Sequence, residues 1–304
     1  MASKVDLAVD LGGIKMKNPV TVASGTFGYG QEYAELIDIT RLGAVTVKGI
    51  RLNAWPGNPL PRHAEVPGGM VNAIGLQGPG VEGFVLDDMP FLREKGVRVI
   101  VNMWGTSIEE YAEVARRLSD VEGVDGLELN ISCPNVKEGG HAFGHDPLTV
   151  SRLVGEVRQA TPLPIMPKLA PNVPDISVFV RAAQEAGADA LAMINTLPAM
   201  VIDIERFQPV LANRTGGLSG RGIHPVAVKL VWDAARVATI PILAMGGIFE
   251  ASDAIEFLLA GATAVAVGTA NFIDPSTPLR VIDGIETYML RHGFSSMAEI
   301  PRVV

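Results

Sequence analysis

The chain has 304 residues, of which 48% are hydrophobic and 19% are charged, so it can bury a large core and is not disordered. Its formal net charge of -8 argues against a nucleic-acid partner, because binding to a phosphate backbone requires a basic surface. The only cysteine, Cys133, rules out an intramolecular disulfide, a cysteine-rich zinc site and an iron–sulfur cluster held by this chain.

The N-terminal segment MASKVDLAVD lacks a basic region followed by an apolar stretch, so we predict no signal peptide and a cytoplasmic protein. The most membrane-like window, residues 254–273, is interrupted by Glu256, Gly261 and Gly268. This pattern predicts a buried helix that runs into a core strand.

Short runs of β-branched and apolar residues recur along the chain, and helical patterns separate most of them. Their apolarity is continuous, which is typical of strands buried on both faces of a parallel sheet. In chain order the runs are VTVASG, AVTVKG, VRVIVN, GLELNIS, PIMPKLAP, ALAMINT, PILAMGG and AVAVGT. About eight βα units fit a (β/α)8 TIM barrel better than a doubly wound sheet. We therefore predict an α/β fold, a single barrel domain over residues 1–304.

Helix-capping patterns support this alternation. Ser107 and Glu110 form a predicted capping box, and Asp146 with Pro147 predicts the start of another helix. Gly187 predicts a helix end.

Two glycine-rich segments depart from the alternation. Residues 51–80 are dense in proline and glycine, which predicts an elaborated loop over the carboxyl-terminal face of the strands. The segment CPNVKEGGHAFGHDP, which begins at Cys133, is hypothesised to be a mobile lid.

Polar or small residues end most of the apolar runs. Because the carboxyl ends of barrel strands form one face, one pocket should collect these residues: Lys48, Asn102, Asn130, Lys168, Asn195 and Gly246. A lone thiol is more often structural than catalytic, but Cys133 follows Asn130 at this face, so both roles stay open.

The two lysines at strand ends, Lys48 and Lys168, suggest an anionic ligand or a Schiff base, unless their side chains extend to solvent. The glycine-rich runs AMGGI and VGTANF, with GGLSG, indicate a phosphorylated cofactor. His141 and His145 have helical metal-binding spacing, but the glycines around them make a helix improbable, and we predict no metal.

Several of these motifs recur together in one family. The runs ASGTFGYG, VKGI, NAIGLQGPG, ELNISCPN, PKLAPN, GGLSG, MGGI and AVAVGTANF resemble the class 1 dihydroorotate dehydrogenases, in order and over nearly the whole chain. PGNPLPRH is similar to the NAD-linked class 1B catalytic subunit. The resemblance implies an FMN-containing barrel that oxidises (S)-dihydroorotate to orotate in de novo pyrimidine biosynthesis.

The resemblance also implies roles for individual residues. The catalytic base falls on Cys133. The FMN contacts fall on Ser24, Lys48, Gly49, Asn102, Asn130, Lys168, Ile194, Gly220, Gly246, Gly247, Gly268 and Thr269. The substrate contacts fall on Lys48, Asn72, Ala73, Ile74, Gly75, Leu76, Asn130, Asn195 and Thr196. Three positions depart from the family pattern, namely Gly78, Trp104 and Pro167.

The class 1B resemblance implies a homodimer that binds two electron-transfer subunits, each carrying FAD and a [2Fe-2S] cluster that pass electrons to NAD. Class 1A enzymes instead are homodimers that use fumarate. Class 2 enzymes use a serine base and carry a membrane-associating N-terminal extension. This chain has Cys133 in place of that serine, so it does not resemble class 2. Three other hypotheses remain: another dihydropyrimidine oxidoreductase, a Schiff-base aldolase using Lys168, and a binding barrel without activity.

Overall fold

A computed structural model describes residues 5–131 and 143–304 of the chain. Within these ranges, eight short parallel strands, here called the central strands, form two four-stranded sheets. In chain order the central strands are Val20–Val22, Val45–Ile50, Val99–Met103, Val124–Leu129, Ile165–Pro167, Leu191–Met193, Ile242–Met245 and Ala264–Val267. One sheet has the order fifth, fourth, third, second, and the other has the order sixth, seventh, eighth, first. The predicted α/β architecture with parallel strands is confirmed.

The edges of the two sheets lie next to each other on both sides. The amide of Leu169 donates to the carbonyl of Ala192 at 2.9 Å, which links the fifth strand to the sixth. At the other edge, the amide of Gly43 donates to the carbonyl of Val20 at 2.8 Å. Each edge strand of one sheet therefore has a neighbour in the other sheet.

The central strands are buried on both faces, as their continuous apolarity predicts. In the third strand, Val99 and Val101 belong to the large cluster that packs against the helices, whereas Ile100 belongs to a smaller inner cluster. A hairpin, Val9–Leu11 and Ile14–Met16, contributes Leu11, Ile14 and Met16 to that inner cluster. Burying each large aliphatic side chain contributes about 1.5–3 kcal/mol.

Helices connect the central strands. The longer ones are Met89–Lys95, Ile108–Ser119, Pro147–Ala160, Ile176–Glu185, His224–Ala235, Ala251–Leu259 and Thr277–His292. Shorter helical segments are Gln31–Ala34, Ile39–Arg41, Gly80–Gly83, Phe84–Asp88, Phe143–His145, Arg221–Ile223, Ala270–Ile273 and Met297–Glu299. No helix in residues 5–131 or 143–304 is long and apolar enough to cross a membrane. The window 254–273 contains the end of one helix and the eighth strand, as predicted.

The predicted helix caps are present, with one difference. Asp146 accepts a hydrogen bond from the amide of Thr149, and Gly187 follows its helix with φ +99°. Ser107 accepts from the amide of Glu110 at 3.2 Å. The second bond of a capping box, from the Ser107 amide to the Glu110 carboxylate, is not formed. The carboxylate accepts instead from the amide of Thr106 and from Arg51, because a guanidinium offers it a charged partner.

Short strands lie beyond the carboxyl ends of the central strands. Four of them form an antiparallel sheet in the order Leu197–Met200, Thr215–Ser219, Gly69–Asn72, His63–Val66. Two further antiparallel pairs are Ile202–Asp203 with Gln208–Pro209 and Asn53–Trp55 with Gly78–Pro79. The proline-rich segment 51–80 is thus not only loop, because it contributes two strands to the four-stranded sheet.

A groove with an acidic side lies beside these short strands and is lined in part by Tyr29, Lys48, Asp87 and Asp88. Burial, followed by repulsion from Asp87 and Glu32, raises the pKa of Asp88 to about 6. Burial also raises the pKa of Tyr29 far above its usual value. The folded state therefore disfavours the charged form of Asp88.

Because the pKa of Asp88 is raised on folding, its contribution to stability is present below about pH 4 and is lost as the pH rises through about 6. We expect Asp88→Asn to raise the free energy of unfolding at neutral pH and to change it little near pH 4. Urea unfolding at both pH values measures this. Asp120→Asn, an exposed aspartate at a helix end, is the control for net charge. Equal effects of Asp88→Asn at both pH values would contradict the prediction.

Two glycines with the same backbone φ allow a matched test of packing. Gly12 and Gly96 both have φ +63°, but a Cβ on Gly12 would lie 2.3 Å from the Asp189 carbonyl oxygen, whereas one on Gly96 would meet nothing within 4 Å. Gly96→Ala should cost about 1–2 kcal/mol for the left-handed conformation alone. Gly12→Ala should cost about 1–3 kcal/mol more, from overpacking. Similar urea midpoints for the two variants would show that the Gly12 turn relaxes without cost.

Candidate active site

A cavity lies at the carboxyl ends of the central strands, and every one of the eight strands contributes to its wall. In strand order, the residues at or just after the strand ends are Ser24, Lys48, Asn102, Asn130, Lys168, Ile194, Gly246 and Gly268. The antiparallel sheet beyond the strands adds Asn72, Gly217 and Ser219. Parallel strands bring these residues together because their carboxyl ends lie on one face.

Most of the predicted site residues line this cavity. The cavity wall includes Ser24, Lys48, Gly49, Asn72, Ile74, Gly75, Leu76, Asn102, Asn130, Lys168, Ile194, Asn195, Thr196, Gly220, Gly246, Gly247, Gly268 and Thr269. The side chain of Ala73 instead packs with Val71 and Leu211 in a small apolar cluster. Cys133 and most of the predicted lid lie outside the described residues.

Lys168 is buried in the cavity floor and does not extend to solvent. Its relative exposure is 5%, and its Nζ lies 3.4 Å from Glu128 Oε1 and 3.4 Å from Ser24 Oγ. A buried ammonium requires such partners, because an unpaired charge in the interior is strongly unfavourable. Lys168 therefore presents a fixed, paired cation beside the cavity.

Glu128, which the sequence patterns did not single out, lies behind the cavity wall. Its relative exposure is 0%, and its Oε1 accepts a hydrogen bond of 2.6 Å from Asn102 Nδ2. Its Oε2 has no hydrogen-bond partner among the described residues. The signal in the sequence was a single charged residue between leucines in the run GLELNIS.

Besides Asn102, three asparagines present amide groups around the cavity. Asn195 Nδ2 donates to Asn130 Oδ1 at 3.3 Å, and Tyr111 Oη donates to the Asn130 carbonyl at 2.6 Å. Across the cavity mouth, Asn72 Nδ2 lies 3.4 Å from the Gly217 carbonyl. Amides both donate and accept hydrogen bonds without adding charge, so this part of the wall suits a polar ring.

A glycine turn follows the seventh strand. Gly246 and Gly247 have φ +136° and +72°, and a Cβ on them would lie 2.7 Å from Ala227 Cβ and 2.6 Å from His224 Cβ, respectively. The helix His224–Ala235 precedes this turn in the chain, but its first residue packs against Gly247, so the positive end of the helix dipole lies close to the turn. Small residues and a helix N-terminus together suit a phosphate group.

His224 holds the glycine turn in place, a role that its sequence context did not indicate. Its Nδ1 lies 3.0 Å from the Gly246 carbonyl, and its Nε2 lies 2.8 Å from Glu256 Oε2. A carbonyl and a carboxylate are both hydrogen-bond acceptors, and the tautomer of the imidazole decides which ring nitrogen donates.

Two of the three departures from the family pattern lie in one aromatic cluster. Trp104 is buried and contacts the edge of Trp55, and Trp55 pairs with Gly78 across two short strands. The Arg51 guanidinium lies over both indoles, 4.8 Å from the Trp104 ring centre. Pro167 ends the fifth strand. None of the three lines the main cavity.

No group of three His, Cys, Asp or Glu side chains in the described parts of the chain could hold a metal ion. His145 is exposed in the turn Phe143–His145, and His141 lies outside the described residues.

Comparison with known proteins shows which family this chain resembles. Residues 6–289 match the family model described as dihydroorotate dehydrogenase. Three similar curated proteins are each named dihydroorotate dehydrogenase B (NAD(+)), catalytic subunit. The Geotalea daltonii protein is 51% identical over 298 residues, covering 98% of both chains. The Geotalea uraniireducens protein is 50% identical, covering 98% of this chain and 97% of its own. The Lachnoclostridium phytofermentans protein is 52% identical, covering 96% and 97%, respectively.

Proposed function

This chain belongs to the dihydroorotate dehydrogenase family, and we propose that it oxidises (S)-dihydroorotate to orotate as the catalytic subunit of an NAD-linked enzyme. This is the oxidation step of de novo pyrimidine biosynthesis. The observation that carries the proposal is the single cavity at the ends of all eight central strands. It contains all but two of the residues that the family resemblance assigned to cofactor, substrate and catalysis.

We further propose that the two sheets close into one (β/α)8 barrel and that the chain is a single domain. The support lies at the two seams. The fifth and sixth strands share the parallel bridge between Lys168 and Ala192, and the first and second share the bond between Gly43 and Val20. A closed barrel leaves no unpaired strand edge.

The cavity fits FMN as the bound cofactor, which supplies a hydride acceptor at its N5 atom. The glycine turn at Gly246 and Gly247 would hold the phosphate. At Gly268, a Cβ would meet only Ala23 Cβ, at 3.5 Å, and Thr26 Cγ2, at 4.0 Å, which leaves room for a ligand. Lys168 would lie at the pyrimidine end of the flavin, where a cation favours the negative charge of the reduced form.

Substrate recognition is assigned to the asparagines and to Lys48. The amides of Asn72, Asn130 and Asn195 suit the alternating N–H and C=O groups of a pyrimidine ring. Lys48 would pair with the substrate carboxylate. Cys133, the proposed base, would remove a proton from one ring carbon while hydride leaves its neighbour. An ordinary thiol has a pKa of about 8.5, so turnover should rise with pH unless the site favours the thiolate.

The names of the relatives support an NAD-linked acceptor and a partner subunit, and the family resemblance supports the partner's cofactors and the assembly. Because those proteins are named catalytic subunits, we propose a partner subunit that carries FAD and a [2Fe-2S] cluster and reduces NAD. We also propose a homodimer that binds two such subunits, in the cytoplasm. An exposed apolar hairpin supports self-association, since Ile202, Ile204 and Phe207 are 57%, 75% and 91% exposed.

The alternatives are less well supported. A Schiff-base aldolase needs a neutral lysine amine, but Lys168 forms an ion pair with Glu128. The fumarate-linked class and other dihydropyrimidine oxidoreductases receive no support from the names of the three relatives.

The first test is anaerobic mixing of the purified protein with dihydroorotate while flavin absorbance is followed. We expect a yellow protein whose visible absorbance bleaches rapidly, because the substrate reduces the bound flavin. Fumarate, or NAD with the partner subunit, should then restore the colour and so identify the acceptor. A colourless protein that binds no added FMN would contradict the proposal. Bound flavin that does not bleach would exclude dihydroorotate as the substrate.

A second test concerns the base. We expect Cys133→Ala to keep FMN but to lose turnover by at least about a hundredfold, the usual contribution of a general base. Cys133→Ser should retain slight activity that increases at high pH, since a hydroxyl is a much weaker acid than a thiol. Steady-state rates across a pH series measure both. Near-normal turnover by Cys133→Ala would remove Cys133 from the mechanism.

A further inference from the structure

A fully buried carboxylate lies directly behind two residues of the cavity wall, and the proposed reaction does not use it. Glu128 contacts Lys168 and Asn102 through the same oxygen, at 3.4 Å and 2.6 Å, but does not itself line the cavity. It is the only charged residue in the fourth central strand apart from Asp125, which lies near the opposite end and pairs with Arg98.

We infer that Glu128 is a positioning residue for the flavin site. It offsets the positive charge of Lys168 and orients the amide of Asn102, and it thereby lowers the midpoint potential of the flavin. This inference rests on the proposed function in that FMN must occupy the cavity.

The effect on Lys168 is electrostatic. A lone ammonium in a poorly solvated site would strongly favour the negatively charged, reduced flavin. Glu128 places a negative charge 3.4 Å from that ammonium and offsets much of its field. Of the three N–H donors of Lys168, one is directed to Glu128 and one to Ser24, which leaves one for a ligand in the cavity.

The effect on Asn102 is directional. An ionised carboxylate only accepts hydrogen bonds, so it requires the NH2 end of the Asn102 amide. Asn102 Oδ1 is then directed toward Gly49, where a Cβ would come within 2.8 Å of it. Glu128 thus fixes which end of the amide faces the cavity wall.

Stability alone does not explain this residue. Glu128 Oε2 is buried without a partner among the described residues, and such groups are rare in proteins. Buried ion pairs are often no more stabilising than apolar residues of similar size. A fully buried, incompletely bonded carboxylate therefore points to a role in the site.

The test is the midpoint potential of bound FMN, measured by equilibration with a reference dye and without dihydroorotate. Glu128→Gln keeps the shape but removes the charge. We expect it to favour the reduced flavin at least tenfold, which is a rise of about 30 mV for a two-electron couple. Glu128→Asp keeps the charge and should shift the potential less than Glu128→Gln does.

The matched control is Asp189→Asn, which also removes the anion of an ion pair, here with Arg158 at 2.7 Å. Asp189 lies at the amino end of the sixth strand, far from the cavity face, so we expect no change in potential. An unchanged potential in Glu128→Gln, or an equal shift in Asp189→Asn, would overturn the inference.

Glu128→Gln buries an unpaired cation and could fail to fold, so a second comparison uses Lys168→Met with and without Glu128→Gln. Without Lys168, Glu128 has no ammonium whose field it could offset, so the two variants should differ less than tenfold in flavin reduction. A tenfold difference between them would refute the coupling. Wild-type protein that binds FMN but is not bleached by dihydroorotate would disprove only the proposed substrate. Wild-type protein that binds no FMN would overturn both proposals.

Discussion

The common direction of the eight central strands is the constraint on which the site depends. Apolar side chains bury both faces of each strand, so a polar residue is tolerated mainly where the strand ends. Because the strands are parallel, those ends lie on one face, and residues far apart in sequence, such as Ser24 and Lys168, come within 3.4 Å of each other. The core and the cavity are thus two consequences of one arrangement.

Inside that arrangement, polar residues are linked by chains of contacts. Ser24, Lys168, Glu128 and Asn102 are linked in turn by contacts of 3.4, 3.4 and 2.6 Å. On the other side of the cavity, His224 links Glu256 to Gly246 in a second chain of contacts, at 2.8 and 3.0 Å. The first chain passes behind the cavity wall at Glu128, and the second runs from Glu256 to the wall at Gly246, so groups that would touch a ligand are held by groups that would not.

Much of this was predictable from sequence. Continuous apolar runs identified the strands, and their terminal residues, such as Lys168 and Asn195, identified the cavity wall. The family motifs added residues that no pattern would have selected, such as Ile194. What escaped prediction depends on contacts between distant segments: His224 gains its role from Gly246 and Glu256, and the Ala73 side chain packs in a cluster with Leu211. Periodicity gives the face of a residue but not its partner.

The antiparallel sheet beyond the strand ends has an evolutionary consequence. It supplies Asn72 and Ser219 to the cavity, whereas the residues assigned to FMN come mostly from the central strands and the segments just after them. Insertions or substitutions in these outer hairpins can reshape the opening without disturbing the strands beneath. A lineage could therefore acquire a new substrate through changes in two hairpins while it inherits the cofactor chemistry intact.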